Sequence, residues 1–148
     1  MREWAGDLTE KVTPYLDSIR DLSALSESVP RVVLVVDDDV FQCRLIAQIL
    51  QGQEFEVVLA TSGRGALTLS QRKRPSLFII DTNMPDIDGI EVTRRLRSMP
   101  GSADSPIILI TGQSERDVVL KGRAAGATDF IVKPFTKEVL LRKIRSLC

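Results

Sequence analysis

"VVLVVDDD", residues 32–39, carries a β-branched-rich apolar run straight into three adjacent carboxylates, Asp37, Asp38 and Asp39. The run predicts a strand over Val32–Val36, because apolar residues without polar alternation suit a strand covered on both faces. Two unit charges about 4 Å apart repel by roughly 4 kcal/mol at an effective dielectric of about 20, so a folded site holding these acids needs a counter-charge. The stretch therefore predicts a sheet and, at the end of one of its strands, a group that neutralises the acids.

Outward from this stretch, short apolar runs alternate with longer segments of helical period. Further strands are predicted over Glu56–Ala60, Leu77–Ile80, Ile107–Ile110 and Phe130–Val132. Helices are predicted over Val40–Leu50, Gly63–Arg72, Gly89–Ser98, Arg116–Ala125 and Lys137–Ser146, with apolar positions such as Ile90, Val92 and Leu96 on one side. Strict alternation of this kind reads as right-handed βαβ units. The fold class is α/β, a doubly wound five-stranded parallel sheet with helices on both faces. In such a sheet the ligand site lies beyond the carboxyl ends of the strands, where the strand order reverses.

Composition narrows the chemistry. The 148 residues suffice for one core and an appendage. Twenty basic and twenty acidic residues leave no net charge, so no global field draws the chain to nucleic acid or to an anionic membrane. The run "QRKRP" at 71–75 and Arg94, Arg95 and Arg97 read as solvated helical faces without aromatic interleaving. No apolar run approaches the ~18 residues of a membrane span, and "MREWAGDLTE" at the N-terminus has no apolar signal region. Neither nucleic acid nor a membrane is an expected partner. Two cysteines, Cys43 and Cys148, are too few for a disulfide framework and point to a reducing cytoplasm. The sequence contains no histidine. That removes Ser-His-Asp and Cys-His nucleophilic machinery and histidine-ligated zinc, and the chain cannot be its own phosphohistidine donor.

The residues just past the strands gather the remaining chemistry. Asp37 and Asp38 follow the first strand, Asp81 the third, Thr111 the fourth and Lys133 the fifth; the second, expected at an edge, contributes Thr61. Oxygen ligands at that density suit a hard divalent cation, Mg2+ above all. Magnesium beside a nucleophilic carboxylate and a lysine is equipment for phosphoryl transfer onto aspartate.

The segments "VVDDD", "IIDTNMPDIDG", "ILITG" and "AGATDFIVKPF", in that order and spacing, resemble the receiver domain of two-component response regulators, the family that includes the single-domain chemotaxis regulator. The resemblance spans residues 31–148. It implies a flavodoxin-like sheet of order 2-1-3-4-5 and makes Asp81 the phosphoacceptor. It implies Mg2+ held by Asp38 and Asp81 directly, by Asp37 through water and by the backbone carbonyl of Asn83. It further implies Thr111 as the switch hydroxyl, Lys133 as the phosphate-pairing lysine, Phe130 as the aromatic switch and a cis Lys133–Pro134 bond. The implied partners are a histidine kinase or histidine phosphotransfer protein and a downstream output protein or domain. The output would be read from the face of the fourth helix, fifth strand and fifth helix, residues 116–145. Such a module is no enzyme beyond its own phosphotransfer and autodephosphorylation. Two positions depart from the pattern: Phe130 stands where many members have tyrosine, and Gly112 where alanine is common, which would loosen the pocket and speed acyl-phosphate hydrolysis.

Other readings compete at particular residues. A phosphatase of the haloacid dehalogenase type would need a second aspartate two residues after the nucleophile, where this chain has Asn83. A receiver fold kept only as a binding scaffold is the other alternative. Asp39 reads as the cap of the first helix, Asp88 as the cap of the third and Asp86 as turn chemistry. Residues 1–30 read as a helical extension and linker, with Leu8, Val12, Tyr15, Leu16, Ile19 and Leu22 as an apolar stripe. That stripe is expected to pack on the main domain, on a second copy in a homodimer, or on a neighbouring domain.

Overall fold

The structure, a computed structural model, describes residues 31–112 and 116–148. The expected extension over residues 1–30 lies outside the described residues. From Arg31 onward the chain alternates without exception: β1 (Arg31–Val36), α1 (Val40–Leu50), β2 (Phe55–Ala60), α2 (Gly63–Lys73), β3 (Leu77–Asp81), α3 (Gly89–Arg97), β4 (Ile107–Thr111), α4 (Arg116–Ala125), β5 (Asp129–Val132) and α5 (Lys137–Leu147). The strands form one parallel sheet of order β2-β1-β3-β4-β5.

Successive side chains of a strand point to opposite faces, and β1 divides its residues accordingly. Val33 and Val35 join Ile46 and Leu50 of α1 and Leu140 and Ile144 of α5 in one buried layer. Leu34 and Val36 face the other way, against Ala66 of α2 and Val92 and Leu96 of α3. Both layers are needed because β3 and β4 are buried at every position, which explains their unbroken apolar sequences. Each fully buried Leu or Ile contributes about 1.5–3 kcal/mol through removal from water, so the two layers dominate the stability of the sheet.

Element ends differ from the sequence reading where the ladder continues past the apolar run. Asp81 and Thr111 do not follow their strands; they are the last residues of β3 and β4, in register with Ile110 and Val132 respectively. Parallel pairing binds backbone regardless of side-chain polarity, and it holds both polar residues in the rigid sheet. The helix starts follow local capping chemistry. Asp39 accepts from the amide of Phe41 at 2.9 Å, Ser62 from that of Gly65 at 3.0 Å, Asp88 from that of Glu91 at 2.8 Å and Thr136 from that of Val139 at 3.2 Å. The Lys133–Pro134 bond is cis.

Candidate functional site

The strand order reverses between β1 and β3, which leave the middle of the sheet with helices on opposite faces. At their carboxyl ends Asp37, Asp38 and Asp81 each bring one carboxylate oxygen within 4.8 Å of the others. Asp37 and Asp81 are buried, and Asp38 is exposed at the mouth. From the loop after β5, Lys133 sets its Nζ 2.7 Å from Asp81 Oδ1 and 3.9 Å from Asp37 Oδ2. The other oxygens are held by backbone: the amide of Asn83 donates to Asp81 Oδ2 at 3.0 Å, and that of Asp39 to Asp37 Oδ1 at 2.9 Å.

Among the described residues Asp37 Oδ2 is left buried without a hydrogen bond. An acceptor in that state is costly unless something completes it. Burial drives the Asp37 carboxyl up to about 6, the charge of Asp81 adds to the rise, and the Asp39 amide and Lys133 oppose it. Burial pulls the Lys133 ammonium down, but its hydrogen bond to Asp81 and the charges of Asp81 and Asp37 outweigh that, and its pKa is raised. Three clustered carboxylates, one with an orphaned buried oxygen, and among the described residues one cation, Lys133, beside them fit a hard divalent cation such as Mg2+.

Thr111 lies buried at the end of β4, and the carbonyl of the same residue accepts from the amide of Lys133 at 2.8 Å, tying the lysine loop to the sheet. Next to it, Gly112 has open space among the described residues where a Cβ would stand, in a recess shared with Thr82, Asn83 and Lys121. Phe130 is not in the crevice. It sits earlier on β5, opposite Leu109, and is only 9% exposed. Its ring lies against Gly122 of α4, where a Cβ would be 2.7 Å from Cε2, and the guanidinium of Arg123 stands 5.5 Å from the ring centroid. The structure thus brings Asp37, Asp38, Asp81, Asn83 and Lys133 together at one crevice, with Thr111 at the adjoining strand end and Phe130 buried behind.

Sequence reasoning missed three supports. Gly89 comes so near β3 that a Cβ would lie 2.3 Å from the Asp81 carbonyl oxygen. Gly122 provides the space for the Phe130 ring. Asp86 does not serve only its own turn: it accepts from the amides of Gly63 and Arg64, more than twenty residues earlier. Position at the start of a helix flags the glycine of "DG", but no local pattern announces a partner so distant. Cys43 is a core residue, its thiol donating to the Asp37 carbonyl at 3.2 Å and pushed by burial up to about 11.

A doubly wound sheet with acids just past β1 and at the end of β3 and a lysine beyond β5 defines the class, an α/β domain with an acidic crevice at the carboxyl ends of its strands. The chain belongs to the response regulator receiver domain family, whose sequence model matches residues 33–145. It is 36% identical over 115 residues to the response regulator PleD of Caulobacter vibrioides, a match covering 78% of this chain and 25% of PleD. The chain therefore spans about a quarter of the length of that relative. Its fold superposes on the chemotaxis protein CheY4 of Vibrio cholerae with a TM-score of 0.78 and 33% identity, covering 80% of this chain and 99% of that one. The receiver domain of the sensor histidine kinase PA1611 of Pseudomonas aeruginosa, described with a magnesium ion coordinated in its active site cleft, gives a TM-score of 0.74 at 25% identity, over 80% of this chain and 97% of that one. Receiver domains are modules of two-component signalling, and phosphorylation-dependent switching is the function this membership carries.

Proposed function

We propose that this chain accepts a phosphoryl group from phosphohistidine onto Asp81 and signals the change through α4, β5 and α5. The observation that carries the reading is the Asp81 carboxylate, buried at a strand end 2.7 Å from Lys133 and clustered with Asp37 and Asp38. Asp37, Asp38 and Asp81, with the backbone carbonyl of Asn83, would hold Mg2+, which supplies positive charge against the phosphoryl oxygens. A carboxylate oxygen of Asp81 attacks phosphorus, the P–N bond of the donor breaks, and the electron pair leaves with the imidazole. Lys133 pairs with a phosphoryl oxygen as its contact to the acceptor carboxylate is given up, and the Thr111 hydroxyl donates to another. The doubly charged product then draws Thr111 and Phe130 toward it and shifts the face of residues 116–145.

The donor, a histidine kinase or a histidine phosphotransfer protein, has to rest on the rim of the crevice. Phe41 is 78% exposed at the start of α1, with Val40 and Leu45 also open, and Leu45, Lys133, Pro134 and Phe135 border a recess beside it. An apolar rim around a charged centre supports docking of a partner there. The module divides as an extension over residues 1–30 and a receiver over residues 31–148. Among the described residues no helix is long and apolar enough to cross a membrane. Cys43 and Cys148 are both free, which supports a cytoplasmic setting.

Acetyl phosphate with Mg2+ tests the reading. The native chain should gain the mass of one phosphoryl group, and Asp81→Asn or omission of Mg2+ should abolish the gain. A native chain that gains nothing, or an Asp81→Asn variant that gains as much, would overturn it.

A further inference from the structure

The loop between β3 and α3, residues 82–88, carries the Asn83 carbonyl that the reading above assigns to the cation. Its start is fixed on β3 and its two ends are fixed to each other. The Asn83 amide donates to Asp81 Oδ2 at 3.0 Å, and the Gly89 amide donates to the Thr82 carbonyl at 3.1 Å. Its middle is fixed to a different element. Asp86 spreads its carboxylate over the first turn of α2, Oδ1 accepting from the Gly63 amide at 3.1 Å and Oδ2 from the Arg64 amide at 3.0 Å. No helical carbonyl can serve those first-turn amides, and the positive end of the helix favours a carboxylate. Ser62, the residue that caps α2 from within its own segment, takes the Gly65 amide instead, so the two caps do not compete. The amide of Arg64, with those of Ile87 and Gly63, holds the Asp86 carboxyl down at about 2. The approach is close as well: a Cβ on Gly63 would stand 2.9 Å from the Ile87 carbonyl oxygen.

We infer that Asp86 is a positioning residue for the cation site, pinning the β3–α3 loop to the N-terminus of α2 and so fixing the place of the Asn83 carbonyl. The inference rests on the proposed reading, in which that carbonyl is a ligand. Ser62 and Asp86 both satisfy amides of α2, but only Asp86 spans from the helix to the loop. Loss of Ser62 weakens the helix; loss of Asp86 weakens the helix and frees the loop.

Calorimetric titration of the 148-residue chain with magnesium chloride, alongside thermal unfolding, separates the two effects. Asp86→Ala should raise the Mg2+ dissociation constant about tenfold, the scale on which groups supporting metal ligands act. Asp86→Asn, which keeps one acceptor oxygen, should show a smaller rise. Ser62→Ala should lower the melting temperature comparably and bind Mg2+ like the native chain. Native affinity in a folded Asp86→Ala variant would overturn the inference, as would equal weakening by Ser62→Ala. If Asp86→Ala does not fold, native affinity in Asp86→Asn has the same force. A native chain that binds no Mg2+ overturns the underlying reading as well, and the titration distinguishes that result from the others.

Discussion

At the scale of the residue, Asp37 shows how the crevice stores its requirement for a cation. One of its oxygens is held by the Asp39 amide and the other is buried without a hydrogen bond among the described residues, and burial sets its carboxyl at about 6 against an ordinary 3.8. Because the folded value is the higher one, the folded chain binds the proton more tightly than the unfolded chain between these two values. The ion-free protein should therefore lose stability as pH rises through that window and level off above it. A bound cation displaces the same proton, so Mg2+ affinity should weaken as pH falls through about 6. Titrations at about pH 5 and about pH 8 check this, and equal affinities would contradict it. Gly112 gives a second test, since a methyl group there meets nothing within 4 Å among the described residues. Gly112→Ala should fold normally and lengthen the life of the acyl phosphate; an unchanged lifetime would remove the role assigned to the gap.

At the scale of the element, helix starts and ring sockets make different demands. Asp39→Ala removes the acceptor for the Phe41 amide and should cost about 1 kcal/mol in chemical denaturation, with Mg2+ binding preserved. Gly122→Ala forces a Cβ to 2.7 Å from the Phe130 ring and 2.9 Å from Leu109 Cδ1. Overpacking of that kind should destabilise by about 1–3 kcal/mol and displace the ring, which aromatic NMR shifts of Phe130 would report. These elements also show what the sequence could reveal. The strands and helices were legible because each buries a periodic apolar face, and the caps Asp39 and Asp88 because capping acts over two or three residues. The ends of β3 and β4 were misplaced by one residue because Asp81 and Thr111 are polar, and polarity hides backbone pairing. Asp37, Asp38, Asp81, Thr111 and Lys133 were legible as a set because the topology places every strand end at one edge. The roles of Asp86, Gly89 and Gly122 were not, because each depends on a neighbour brought near only by the fold.

At the scale of the whole molecule, the two apolar layers hold the strand ends in place and leave the crevice free to carry uncompensated charge. Ile79 of β3 is fully buried between β1 and β4, two residues before Asp81. Truncation to Ala should cost about 2–5 kcal/mol, a large part of the about 5–15 kcal/mol that holds a domain of this size together. The charged crevice thus depends on a buried apolar frame. The account centres on Asp81 as the acceptor, and chemical trapping tests that directly. After treatment with acetyl phosphate and Mg2+, borohydride reduces an aspartyl phosphate to homoserine, and peptide mass spectrometry locates the converted residue. The account predicts conversion at Asp81 alone, dependent on Mg2+. Conversion at Asp37 or Asp38, or none anywhere in the chain, would contradict it.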